Sequence, residues 1–210
     1  MDRQPPVPVV GLIGGIAAGK SAVANLLENK GAQRIDADRI GHDVLRRIEI
    51  SNELARMFGT DILDPSGHIR RGALGKLVFG SDPAKVANRR RLEALVHPLI
   101  REEVTRQIER NCALPDPPPA IVLDAPLLVE AGWVELCNEV LFVDASDQTR
   151  ITRAAQRGWT EDEFRQRERS QFPIEQKLAS ATTVVHNDST LESLAEQIET
   201  IWMRIVSARG

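Results

Sequence analysis

Two groups of residues in this chain have the types and spacing to do chemistry. The first is Gly14, four residues, then Gly19, Lys20 and Ser21, which form the pattern G-x-x-x-x-G-K-[ST]. It lies in VVGLIGGIAAGKSAVANLL, residues 9–27, between a β-branched apolar run and an amphipathic one, where a strand should give way to a helix. Glycines let such a backbone curl so that successive N–H groups face phosphate oxygens, and the helix N-terminus adds partial positive charge. Lys20 would reach the β- and γ-phosphates, and the Ser21 hydroxyl would ligate Mg²⁺. The bare pattern arises by chance in roughly one chain of this length in a hundred, and its strand–helix setting makes chance rarer. The reading is a nucleotide triphosphate held by Gly14, Gly15, Ile16, Ala17, Ala18, Gly19, Lys20 and Ser21.

The second group decides what happens to the γ-phosphate, since switches, motors and small-molecule kinases share this loop. IDAD, residues 35–38, closes the strand expected after the loop helix. Carboxylates there would face the phosphate end of the sheet and could orient or deprotonate an attacking hydroxyl. For Asp38 a plain helix N-cap is the competing reading, and one residue can do both. Further on, Arg150, Arg153 and Arg157 recur at helical spacing and can share one face. Arg153 and Arg157 read as a mobile lid that brings positive charge onto transferring phosphates. Arg165, Arg167 and Arg169, mixed with acids, read as a solvated charged face. No HRD, DFG or dinucleotide fingerprint accompanies the loop, and no guanine-reading NKxD-like tetrapeptide is present.

The elements that must hold these residues follow from the patterning. VPVVGLIG, QRIDAD, AIVLDAPLLVE and EVLFVDAS read as short strands, TTVVHNDS as a weaker one, and residues 191–207 as a closing amphipathic helix. Strands apolar throughout and separated by helices argue for a parallel sheet covered on both faces. Residues 39–110 turn Arg-, Glu-, Leu- and Ala-rich and mostly helical, while LPDPPPA cannot continue a helix. Pro5, Pro6 and Pro8 form a stiff leader expected outside the fold.

The chain has 210 residues, 42% hydrophobic, with a net charge of −3. That size gives one α/β core with a modest insertion, and the charge gives no bulk reason to bind nucleic acid or a membrane. Cys112 and Cys137 sit in unlike contexts without CxxC spacing, so two reduced thiols in a cytoplasmic protein are expected.

Beyond these readings the chain resembles the dephospho-coenzyme A kinases over almost its whole length. The resemblance rests on GLIGGIAAGKS, IDADRIGHDVL, GTDILDPSGHIRRGALGKLVF, LEALVHPLIREEV, LDAPLLVEAGW, QTRITRAAQRGWTEDEFRQRERSQ with PIEQKLASA, and VVHNDSTLESL. It implies a three-layer α/β/α P-loop NTPase fold with a short parallel sheet, a helical insertion and an arginine-rich lid. Residues 1–38, 111–149 and 180–210 would form the nucleotide-binding core, 39–110 a helical acceptor domain and 150–179 the lid. The implied reaction moves the γ-phosphate of ATP to the ribose 3'-hydroxyl of dephospho-CoA, with Mg²⁺ and no obligate protein partner. Asp38 matches the family's proposed base, Lys20 its phosphate-binding lysine, Ser21 its magnesium-side hydroxyl and Arg153 its lid arginine. Asn187 looks like part of the strip beside the adenine, with Arg157 also on the ATP side. Asp36, His97, Pro126 and Leu127 fall where the family lines its acceptor pocket.

Ala17 and Ala18 stand where Gly and Ser are usual, which predicts a loop without positive φ at either position. His186 stands where an acid is common, and Asp124 resembles a magnesium-side acid at a strand end. Trp133, Trp159 and Trp202 read as packing residues, and His42 and His68 as surface residues rather than metal ligands. The rival readings are a P-loop kinase for another nucleotide-like acceptor and a nucleotide-dependent switch.

Overall fold

The structure is a computed structural model that describes residues 6–80 and 82–207. The chain divides into two units, one of residues 1–36 and 105–210, the other of residues 37–104. Among the described residues the first unit contains five strands: β1 (Val9–Gly14), β2 (Gln33–Asp36), β3 (Ile121–Asp124), β4 (Glu139–Asp144) and β5 (Thr183–His186). They form one sheet in the order β2-β3-β1-β4-β5, and every neighbouring pair is parallel.

β1, in the middle, is buried at all six positions, which is why its sequence is apolar without alternation. Val10 and Leu12 point into a core shared with helix α1 (Lys20–Glu28) and the long closing helix, through Val23, Ala24, Leu27, Leu194, Ile198 and Trp202. On the other face Leu128 and Cys137 lie against Gly11. Burial pushes the Cys137 thiol up to about 12, so it is a packing group and not a nucleophile. The sheet and its flanking helices make an α/β fold around a parallel sheet, as the patterning of the chain implied.

The leader is less detached than expected. Pro5 lies outside the described residues, but Val7 is fully buried, and the Pro8 carbonyl accepts from the Ile121 N–H at 2.9 Å. A proline lacks only its donor, so its carbonyl can still extend a ladder.

The second unit is helical. It comprises α2 (Ala37–Leu45), α3 (Ile48–Phe58), α4 (Arg71–Val78) and most of α5 (Pro83–Cys112), which carries Pro98 inside it. The strand expected to run to Asp38 stops at Asp36, and Asp38 sits in the first turn of α2. A carboxylate there is favoured by the helix dipole, which explains why helix wins over strand at this point.

After β4 come α6 (Asp147–Gln156), α7 (Glu161–Glu168) and α8 (Ile174–Leu178), and after β5 the closing helix α9 (Leu191–Ser207). Ser146 caps α6 by accepting from the Thr149 N–H, and Thr160 with Glu163 forms a capping box on α7. The sharp connection between those helices is therefore written locally.

α8 is tied down by charge. Lys177, 2% exposed, places Nζ 3.0 Å from Glu130 Oε1 and 2.8 Å from Gln171 Oε1. Glu130 Oε1 also accepts from the Phe172 N–H, while Oε2 is buried without a hydrogen-bond partner. Removing the lysine would strand a buried carboxylate, so Lys177→Met should cost about 3–5 kcal/mol in chemical denaturation. The double variant with Glu130→Gln should recover part of that loss, and full stability in the single variant would show that the pair is not holding α8.

Candidate active site

All five strands end at one edge of the sheet, and the loop of residues 14–19 leaves the central strand there, where ligands bind in open α/β folds. Gly14 has φ 151°, and a Cβ on it would lie 2.5 Å from the Val143 carbonyl oxygen of the next strand. Gly19, at φ 100°, is the N-cap of α1, and a Cβ on it would meet Asn187 Nδ2 at 2.1 Å. Neither position admits another residue without rebuilding the loop. No side chain caps α1, and no acid lies in its first turn, so the positive end of that helix is left for an anion. Lys20 is the first residue of α1 and Ser21, exposed, the second.

Ala18 is the point on which the loop is fixed. Its carbonyl accepts from Arg153 Nη1 at 3.0 Å and from Asn187 Nδ2 at 2.7 Å. Arg153 Nη2 also donates to the Asn187 carbonyl at 2.9 Å, and the Asn187 N–H donates to the Asp144 carbonyl at 2.8 Å. These bonds fix the Ala18 carbonyl and park the Arg153 charge beside the loop. In this structure Arg153 braces the loop; the sequence alone pointed to its lid role and not to this one. Asn187, 6% exposed, is likewise a buried brace.

The backbone at Ala17 corrects the expectation from its residue type. Its φ is 59°, the only positive value for a non-glycine among the described residues. Its methyl is buried against Ala154 and Phe164, with Ile16, Ile151 and Trp159 alongside, so packing holds the residue there. Left-handed alanine costs about 1–2 kcal/mol, while a glycine would forfeit a buried methyl worth about 0.8 kcal/mol and add unfolded-state entropy of about 0.5–1 kcal/mol. The terms nearly cancel, so Ala17→Gly should change unfolding free energy by less than about 1 kcal/mol, whereas Ala17→Val should be clearly destabilised. Thermal unfolding of both variants distinguishes this from an unstrained loop, in which valine would be tolerated.

The helices after β4 are docked rather than loose. Phe164 is fully buried with Arg150 and Arg165 over its ring, 5.4 and 5.2 Å from the centroid. Arg150 pairs with Asp147 at 2.9 Å and Glu168 at 2.5 Å, and Arg165 contacts the same two acids at 2.5 and 3.0 Å. Arg165 was expected on a solvated face, but it belongs to this network because Phe164 needs cover on both sides. Arg165 holds the Asp147 carboxyl below the usual range. Arg157 does not join the loop here; it lies 5.9 Å from the Trp159 ring, which Arg167 covers at 4.3 Å.

The remaining candidates divide between the two units. In the sheet unit, Asp36 ends β2 in register with Asp124, which ends β3, and Pro126 and Leu127 lie on the turn that follows. Arg34 Nη2 donates to Asp124 Oδ2, and its Nη1 reaches Asn25 and Glu28 of α1 at 3.4 Å. That pairing had no signal in the sequence, because it depends on a strand register. It occupies one oxygen of the carboxylate thought to resemble a magnesium-side acid. No group of three or more His, Cys, Asp or Glu side chains among the described residues could hold a metal on its own. In the helical unit, Asp38 lies on α2 and is exposed, and His97 lies inside α5. Burial pushes His97 below the ordinary histidine value, against the opposing Glu93 charge.

Comparison with known proteins fits this arrangement. The family described as Dephospho-CoA kinase matches residues 8–193. A dephospho-CoA kinase of Streptomyces avermitilis is 40% identical over 94% of this chain and 93% of its own. One from Symbiobacterium thermophilum is 36% identical over 96% and 83%. The crystal structure of TT1252 from Thermus thermophilus superposes with a TM-score of 0.77 at 34% identity, covering 94% of this chain and 97% of that one. The chain belongs to the dephospho-CoA kinase family.

Proposed function

We infer that the protein transfers the γ-phosphate of ATP to the ribose 3'-hydroxyl of dephospho-CoA, giving coenzyme A and ADP. The observation that carries this reading is the uncapped N-terminus of α1 behind a loop braced at Ala18, an anion cradle in a chain of this family. Phosphoryl transfer needs positioning and charge stabilisation more than covalent chemistry, and the residues supply both.

Gly14, Gly15, Ile16, Ala17, Ala18 and Gly19 form the backbone cradle for the phosphates, and Lys20 neutralises the charge that develops on the transferring group. Arg153 adds positive charge from beside the loop and Arg157 from the end of α6, with Asn187 fixing the strip where the base of ATP lies. Asp38 orients the 3'-hydroxyl and takes its proton. Asp36, His97, Pro126 and Leu127 are assigned to the acceptor, and the helical unit to its binding. Ser21, a hard oxygen donor at the phosphate end, fits Mg²⁺, which one or two protein oxygens and the nucleotide phosphates hold together. The metal would neutralise charge on those phosphates.

No helix among the described residues is long and apolar enough to cross a membrane. Cytoplasmic residence is part of the proposal, supported by two cysteines without a disulfide.

The reading is tested by ADP release with Mg-ATP and dephospho-CoA, adenosine, AMP or no acceptor. Release should be far faster with dephospho-CoA than with any other addition. Equal rates across the four would leave a nucleotide-binding protein without this kinase activity.

A further inference from the structure

α2 carries more than the proposed base. Asp38, His42 and Leu45 recur at i, i+4 and i+7, so they form one stripe along the helix, and Arg46 follows in the turn after it. Ala37, Ile40 and Val44, the buried residues of α2, lie on a different face. The C-terminal part of the stripe opens onto a cavity of about 280 Å³ lined by His42, Leu45, Arg46, His68, Ile69 and Arg71. His42 and His68, far apart in sequence and expected to be isolated surface residues, are thus brought to one recess.

The lining is one-sided in charge. Four of its six residues are basic, and no carboxylate lines it. Arg71 Nη2 contacts His42 Nε2; a guanidinium can only donate, so this nitrogen of His42 accepts. Asp43 pairs with Arg46 at 3.4 Å and so offsets one of the two arginines, while Asp64 accepts from the Ser66 and His68 N–H groups at 2.8 and 3.0 Å. Two arginines and two imidazoles offer a fan of N–H donors to an anion, and planar guanidinium suits phosphate oxygens. The volume lies below the 300–1,000 Å³ typical of sites that engulf a drug-sized ligand, so the recess fits one charged group of a larger molecule.

We propose that this cavity is the subsite for the diphosphate of the acceptor. The inference rests on the function proposed above, and it adds His42, Arg46, His68 and Arg71 to the acceptor-binding residues. The helix sets the spacing: four residues, a rise of about 6 Å, separate Asp38 from His42. A ribose spans a similar distance between its 3'-oxygen and its 5'-phosphorus. An acceptor with its 3'-hydroxyl at Asp38 therefore carries its diphosphate along the stripe toward His42, Arg46 and Arg71.

The test uses two readouts on the full-length protein. Calorimetric titration with inorganic diphosphate, the nucleotide loop filled by a non-hydrolysable ATP analogue, should show binding. Arg71→Ala and His42→Ala should each weaken that binding at least tenfold, and the exposed Arg46→Gln should weaken it less. In turnover, the same variants should raise KM for dephospho-CoA at least tenfold while KM for ATP and kcat stay within about threefold. Unchanged diphosphate binding in both Ala variants would overturn the subsite. Weakened diphosphate binding with an unmoved KM for dephospho-CoA would also overturn it, since the anion site would then not serve the acceptor. If the wild type failed to turn over dephospho-CoA at all, the proposed function would fall, while the titration would still show whether the cavity takes diphosphate.

Discussion

Asp38→Asn lowers kcat by about two to four powers of ten, the range for a lost general base, while ATP binding stays near that of the wild type. The asparagine keeps the shape of the side chain and its place in the first turn of α2, but it neither accepts the hydroxyl proton nor carries charge. The competing role is helix stabilisation. An acid in a first turn is worth about 0.3–1 kcal/mol when exposed, and Asp38 is exposed. The two roles thus differ in what they move. A base moves turnover by orders of magnitude with little change in melting temperature, whereas a dipole partner moves melting slightly and turnover not at all. Measuring kcat and thermal unfolding on the same preparation separates them, and unchanged kcat would reduce Asp38 to a residue that starts a helix.

Lys20→Ala depresses ATP binding and turnover together. Lys20 is the first residue of a helix whose N-terminus has no side-chain cap and no acid, so its ammonium adds to a positive end prepared for phosphate. Its charge attracts the ground-state phosphates and, more strongly, the charge that accumulates in transfer, so KM for ATP rises and kcat falls. Loss of one preorganised charge-stabilising group costs about 2.7–4 kcal/mol in comparable sites, which predicts a fall of two to three powers of ten in kcat/KM. Steady-state kinetics at varied ATP is the check. A variant that lost binding alone would make Lys20 an anchor without a part in transfer, and one that kept full activity would remove it from the mechanism.

The middle of the sheet was legible in the sequence because β1, β3 and β4 are short and apolar, and buried strands leave that mark, whereas the edge strands QRID and TVVH carry it weakly. The phosphate loop was legible because its geometry demands glycine at positions 14 and 19, where the structure leaves no room for a Cβ. What the sequence could not carry depends on side chains meeting across the fold. Arg153 read as a lid arginine from helical spacing, yet its present partners are carbonyls at Ala18 and Asn187, contacts that have no sequence pattern. Arg34 with Asp124 and Lys177 with Glu130 are pairs 90 and 47 residues apart, made by strand register and by the packing of a five-residue helix. Ala17 misled by type: alanine argues against a positive φ, but burial of its methyl beside Phe164 offsets the strain. His42 and His68 are exposed, as read, but their meeting at one recess had no sequence pattern, since a turn and the start of α4 return the chain to α2.

The most direct test of the account follows the transferred phosphate. ATP labelled in its γ-phosphate is incubated with the protein and either dephospho-CoA or its 3'-deoxy analogue, and the labelled products are separated. The account predicts label in coenzyme A from the first and none in the acceptor from the second. Label in the 3'-deoxy analogue, or no labelled acceptor from dephospho-CoA itself, would contradict it.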